Sequence, residues 1–229
     1  VAAAVDALVR KKMTHYAPNR GTLKLRKSIA SMLKTEYQVE VDPVDEILVT
    51  VGAAEAIFDV IFSLVDASDE VIILTPAYMN YENCINMAGA KCVKVALEEK
   101  EGFQINRERL EAAVTEKTRM LVVTNPNNPT GQLLSREYLP ELLEHCRQQG
   151  IVVVLDECFI EFCETDTEQP RSLLGKIDQY ENLLLVRAFT KSFAMPGVRL
   201  GYLVCSNEGL REKIRRQLPE WNLSVFAQR

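Results

Sequence analysis

The chain has 229 residues, 47% of them hydrophobic, which is enough for one large domain or one and a half. A net charge of −5 without a basic stripe points away from nucleic acid, and no apolar run approaches the roughly 18 residues of a membrane-spanning helix. Six scattered cysteines (Cys84, Cys92, Cys146, Cys158, Cys163, Cys205) without metal-site spacing, and only His15 and His145, argue against a structural zinc site, disfavour Ser-His-Asp or Cys-His chemistry, and suit reduced thiols in a cytoplasmic protein.

The sequence opens at Val1 in a helical-looking segment with neither an initiator methionine nor a leader, and is read as trimmed or incomplete at its start. Residues 22–36 place Leu25, Ile29, Met32 and Leu33 on one face of a helix. An apolar run at 47–51 follows, and residues 53–65 are apolar nearly all round, as a buried helix would be. Further runs lie at 71–74, 92–95 and 120–123. Residues 135–149 form an amphipathic helix with Tyr138, Leu139, Leu142, Leu143 and Cys146 on one side; Ser135 is its expected N-cap and Gly150 its stop. The run 151–155 precedes a polar surface loop at 164–170, and runs 183–186 and 200–204 complete the set of seven. Alternation of such runs with helix-length segments predicts βαβ units and a largely parallel sheet. After Pro219 the rhythm is lost, as at the start of another unit.

Four clusters fall where α/β sheets place their ligands, at the carboxyl ends of strands. Thr50-Val51-Gly52-Ala53-Ala54 is a strand followed by a small-residue turn that opens a helix, which lets an anion approach backbone amides. Taken alone it is also an ordinary tight turn. Thr124-Asn125-Pro126-Asn127-Asn128-Pro129-Thr130-Gly131 is a rigid turn holding asparagine amides at the sheet edge. Asp156 and Glu157 end an apolar run, and a carboxylate there needs a cation, either in a salt bridge or as a protonated pyridine nitrogen. Lys191 follows the next run, with Arg199 eight residues later. A partly buried lysine beside a cation has a lowered pKa and forms Schiff bases.

Asn127-Asn128-Pro129-Thr130-Gly131, the Asp156-Glu157 step with Phe159, and Thr190-Lys191 with Gly197, Arg199 and Gly201 together resemble the class I/II aminotransferases, fold-type-I enzymes dependent on pyridoxal phosphate. The resemblance extends over essentially the whole chain. Residues 16–80 are similar to the aspartate and aromatic branch, whereas residues 156–162 and 217–228 are closer to histidinol-phosphate aminotransferases and threonine-phosphate decarboxylase. It implies a three-layer αβα sandwich with a mostly parallel seven-stranded sheet. Residues 1–218 would then be the cofactor-binding large domain, lacking an N-terminal arm, and residues 219–229 the start of a small domain absent from this chain. That missing part would carry the arginine that binds the substrate carboxylate.

The same resemblance assigns roles. Lys191 would carry the cofactor as a Schiff base and later move the proton at the substrate α-carbon. Asp156 would pair with the pyridinium nitrogen, and Asn128 would donate to the ring oxygen. Gly52, Ala53, Ala54, Thr190 and Arg199 would hold the phosphate. Tyr78 would stack on the ring with Tyr81 behind it against Asp156. Tyr16 would reach the phosphate of a partner subunit, implying a homodimer with shared active sites. Phe159 and Ala188 depart from the family's usual tyrosine and hydroxyl residue, each removing one polar contact. The function implied is transfer of an amino group between an L-amino acid and a 2-oxo acid. Decarboxylation of a phosphorylated amino acid and a non-catalytic cofactor-binding fragment are the alternatives. No metal, nucleic acid or membrane is expected as a partner.

Overall fold

In the computed structural model, which describes residues 2–135, 137–163 and 172–228, strands and helices alternate along the chain. The strands are β1 (Ile47–Thr50), β2 (Glu70–Thr75), β3 (Lys91–Ala96), β4 (Thr118–Thr124), β5 (Val152–Asp156), β6 (Leu183–Ala188) and β7 (Gly201–Val204). The helices are α1 (Ala2–Val9), α2 (Leu23–Tyr37), α3 (Gly52–Leu64), α4 (Asn80–Met87), α5 (Arg107–Ala113), α6 (Tyr138–Gln148), the short α7 (Phe189–Ser192) and α8 (Glu208–Gln217). All seven predicted runs are strands. The predicted loop 164–170 lies outside the described residues.

One sheet results, in the order β1-β7-β6-β5-β4-β2-β3. Side chains alternate between its faces, and apart from the edge strand β3 both faces are buried, which is why the other strands read as near-continuous apolar runs. Val153 and Leu155 join one core with Ile29 and Leu33 of α2, Leu110 of α5 and Leu142 of α6. Val154 and Val186 join the other with Ile57 of α3, Ile85 of α4 and Ile214 of α8. The molecule is thus helix, sheet, helix in three layers.

Only β7 opposes the rest. It pairs antiparallel with both β6 and β1, Ala188 lying opposite Gly201 and Thr50 opposite the same glycine. The segment 189–200 contains only the single turn of α7 and a 3₁₀ turn at Pro196–Val198, so it doubles back instead of crossing over the sheet. Lys191 and Arg199 therefore lie on one returning loop, beside the start of α3.

One predicted boundary is corrected. Ser135 is not the N-cap of α6; the cap is Glu137, and the helix starts at Tyr138. Pro140 accounts for the shift. It has no N–H, and a start at residue 138 leaves it in the first turn, where none is needed. The Ser135 amide instead donates to Gln104 Oε1 at 3.0 Å. Gly150 does end the helix, at φ +70°. Residues 219–228 turn back onto the same body: Leu223 and Ala227 join the first core, and Gln228 Oε1 accepts from the Thr22 amide at 2.8 Å.

Candidate active site

A cavity of about 210 Å³ opens where the carboxyl ends of β4, β5 and β6 meet the start of α3. Its lining includes Ala53, Ala54, Thr190 and Arg199. The first amides of a helix have no intrahelical acceptor, and Val51, the cap of α3, has no side-chain oxygen to offer them. Arg199 adopts a left-handed backbone (φ +59°), strained by about 1–2 kcal/mol in a residue with a Cβ. Its guanidinium lies against Gly52, where a Cβ would be 2.8 Å from Nη2, and the Gly52 backbone (φ +74°) is one that favours glycine. A helix N-terminus and a guanidinium meeting in this way form a site that an anion stabilises.

Asp156, 7% exposed, lines the same cavity. Its Oδ1 accepts the Cys158 amide at 2.9 Å, and its Oδ2 accepts the Tyr81 hydroxyl at 2.8 Å. Tyr81 Oη also lies 2.8 Å from Thr124 Oγ1, and Thr124 is opposite Asp156 in the sheet register. Burial, and then the Asp156 charge, push the Tyr81 phenol well above its ordinary pKa, so it remains a donor. The Cys158 thiol is pushed well up by burial and the same carboxylate. The alternatives weighed for Asp156 divide between neighbours. Glu157 turns to the opposite face and forms the salt bridge, with Arg187 at 2.7 Å, leaving Asp156 on the cavity.

Lys191, Phe159, Asn128 and Tyr78 also line the cavity. Lys191 Nζ is 5.6 Å from the Phe159 ring centroid. The two asparagines have different tasks. Asn127 is buried and builds the turn, donating to Pro76 O at 3.1 Å and accepting from the Thr130 amide and hydroxyl at 3.1 and 2.8 Å. That leaves Asn128 to line the cavity. Tyr78 is 43% exposed and meets Tyr81 edge-on, with centroids 5.8 Å apart.

Of the residues singled out from sequence, Ala53, Ala54, Tyr78, Asn128, Asp156, Thr190, Lys191 and Arg199 share this cavity, with Gly52 directly behind the guanidinium. Tyr16 stands apart, 78% exposed and stacked on Trp221 at 4.4 Å between centroids. Sequence reasoning gave no role to Thr124, which opens the asparagine string, or to Cys158. Position was the available signal: Thr124 ends β4 where the asparagine turn begins, and Cys158 follows Asp156 by two.

The model of the family described as aminotransferase class I and II matches residues 1–229. A probable aspartate/prephenate aminotransferase of Aquifex aeolicus is 37% identical over 209 residues, covering 90% of this chain and 52% of the relative. An aspartate aminotransferase of Pyrococcus abyssi is 34% identical over 206 residues, 90% of this chain and 53% of its own length. The crystal structure of an aromatic aminotransferase from Pyrococcus horikoshii superposes with a TM-score of 0.88 at 33% identity, over 99% of this chain and 61% of that one. The chain belongs to the class I and II aminotransferases. It spans about half the length of the curated relatives it matches. Among the described residues no helix is long and apolar enough to cross a membrane, and no group of three or more His, Cys, Asp or Glu is placed to hold a metal ion.

Proposed function

We propose that this chain provides the pyridoxal-phosphate site of an aminotransferase that moves an amino group between an L-amino acid and a 2-oxo acid. The observation that carries the reading is the convergence of Lys191, Asp156 and the Ala53–Ala54–Thr190–Arg199 cradle on one cavity. The donor set fits the cofactor chemically. The cradle offers amides, a hydroxyl and a guanidinium to a phosphate, the buried Asp156 faces the cavity as an acceptor for a protonated ring nitrogen, and Lys191 lines the same cavity. Relatives named for aspartate and aromatic amino acids support the substrate class.

When bound, pyridoxal phosphate supplies an aldehyde that condenses with amines and a protonated ring that accepts electrons. Asp156, oriented by Tyr81 and the Cys158 amide, would hold a proton at the ring nitrogen. The Lys191 amine would bind the aldehyde and would move the proton at the substrate α-carbon. Asn128 would donate to the ring oxygen, and Tyr78 would pack on the ring face. The exposed Tyr16, outside its own chain's cavity, is free to reach the phosphate site of a second copy, and we propose a homodimer on that basis. All six cysteines are free thiols, which suits a cytoplasmic protein.

The test is to mix the purified chain with pyridoxal phosphate, reduce with borohydride and map the labelled peptide by mass spectrometry. A phosphopyridoxyl group on Lys191, absent in Lys191→Ala, is expected. Labelling spread evenly over surface lysines such as Lys24 and Lys27 would reject the reading.

A further inference from the structure

Beneath the cavity, on the opposite face of the sheet, lies a buried polar cluster to which the proposed reaction assigns no role. Asp156 on β5 is opposite Val186 on β6, and the Glu157 amide donates to Val186 O at 2.9 Å. The next side chain on each strand, Glu157 and Arg187, turns away from the cavity. Glu157 is 0% and Arg187 1% exposed. Arg187 Nη2 and Nε both reach Glu157 Oε2, at 2.7 and 3.3 Å. Nη2 also donates to Ser172 Oγ at 2.7 Å, and Glu157 Oε1 accepts the Leu173 amide at 2.9 Å. The guanidinium carbon lies 4.2 Å from the centroid of the Tyr37 ring. Burial opposes the Arg187 charge, but Glu157, with Tyr202 and Tyr37, outweighs it, and the pKa lies above its ordinary value.

The cluster does not end there. Arg187 Nη1 donates to Glu161 Oε1 at 3.4 Å, and Glu161 Oε2 accepts from Ser192 Oγ at 3.3 Å. A continuous polar path thus runs from the residue beside Asp156 to the residue beside Lys191. We propose that Arg187 and Glu157 are positioning residues that fix the placement of Lys191 relative to Asp156, an inference that rests on the reading of the cavity given above.

Stability alone does not call for this pair. Well-packed apolar side chains of similar volume commonly serve a core as well as a buried ion pair does. What the pair adds is direction, because the guanidinium fork accepts its partners only in fixed orientations. Asp156 and Lys191 must meet opposite parts of one rigid ring, and a misplacement of about 1 Å at a reacting group costs roughly a hundredfold in rate. A clamp between the end of β5 and the loop after β6 holds that spacing without entering the cavity.

The test uses the double variant Glu157→Gln/Arg187→Met, which removes both charges and nearly keeps their volume, beside Arg187→Lys, which keeps the charge and loses the fork. Three quantities are read: the thermal melt, the rate of borohydride-trapped labelling at Lys191 by limiting pyridoxal phosphate, and the pH midpoint of the loaded chain's visible absorbance. The double variant is expected to fold, to label Lys191 at least about tenfold more slowly and to shift the midpoint by about one pH unit, with Arg187→Lys recovering part of both. A folded double variant with parental rate and midpoint overturns the proposal, leaving the pair a packing element. If the double variant fails to fold, Arg187→Lys decides by the same two readouts: slower labelling with a shifted midpoint supports the clamp, and parental values overturn it. An unaltered chain that gives no adduct at Lys191 rejects the reading of the cavity and this inference with it.

Discussion

Gly201, the first residue of β7, lies against the backbone of Ala53 at the start of α3: a Cβ on Gly201 would sit 2.7 Å from the Ala53 nitrogen and 2.6 Å from the Gly52 carbonyl carbon. Both contacts are with backbone atoms, so no rotamer change relieves them. The antiparallel return of β7 brings this glycine to the helix start, and the same return brings Arg199 to Gly52. Two glycines far apart in sequence therefore shape one anion cradle.

Gly201→Ala is expected to displace the first turn of α3. Overpacking of this kind costs about 1–3 kcal/mol, and each kcal/mol lowers the melt of a chain this size by about 2–4 °C. Affinity for pyridoxal phosphate should fall by at least about tenfold, because helix-terminus anion sites act only within the first turn. Thermal melts with and without the cofactor check both statements. A variant that melts and binds as the parent does would show that the helix start has room to move.

Tyr81→Phe removes one donor from a carboxylate that is 7% exposed and leaves Thr124 Oγ1 without its partner. A buried acceptor that loses its donor costs about 1–3 kcal/mol. The loss should appear in urea unfolding of the cofactor-free chain, and be smaller in the loaded chain, where the ring nitrogen takes up Asp156. Equal losses in the two forms would mean that Asp156 does not meet the ring.

Asp59 sits within α3 fully buried, and neither carboxylate oxygen has a hydrogen-bond partner. Burial, aided by the charge of Glu55 one turn earlier, raises its pKa from 3.8 to about 8. The folded chain therefore holds a proton that the unfolded chain releases near pH 4. Stability from this group is complete below that point and is lost as pH rises through the folded value near 8. The loss is on the order of 1 kcal/mol for each pH unit of the window. Urea unfolding at several pH values, compared with Asp59→Asn, isolates the effect, since the amide does not titrate. Parallel stability profiles for parent and variant would refute the assignment.

The strands were legible because both sheet faces are buried: 151–155 and 183–186 read as uninterrupted apolar runs whatever their neighbours. Direction was not, since an apolar run carries no sign of which way it points, and the reversal of β7 follows from how little regular structure lies between Phe189 and Leu200. Capping at Ser135 was a local reading overridden by Pro140. The candidate site was legible as far as its motifs are contiguous, at Asn128, Asp156 and Lys191. Arg187 and Glu157 were not read as a pair because they lie on adjacent strands but far apart in sequence, and a pairing across strands leaves no short-range pattern. Asp59 was hidden for the opposite reason: its helix is apolar almost throughout, and one acid among such residues reads as solvent-facing until the packing is seen.

Phe159 lines the cavity with Lys191 and Asn128 but brings no donor to it, and Ala188 likewise offers no hydroxyl. Phe159→Tyr adds a hydroxyl to the ring that faces Lys191 Nζ, in the cavity that Asn128 also lines. A second donor to the cofactor's ring oxygen stabilises its anionic form, so the neighbouring nitrogen gives up its proton at lower pH. The pH midpoint of the loaded chain's visible absorbance should drop by about one unit, equivalent to about 1.4 kcal/mol. The substitution adds one atom at a half-buried position, so the melt should change little. A spectrophotometric titration with an unmoved midpoint would mean that the new hydroxyl does not reach the ring oxygen, and that the acidity of the site is set by Asn128 and the buried carboxylate alone.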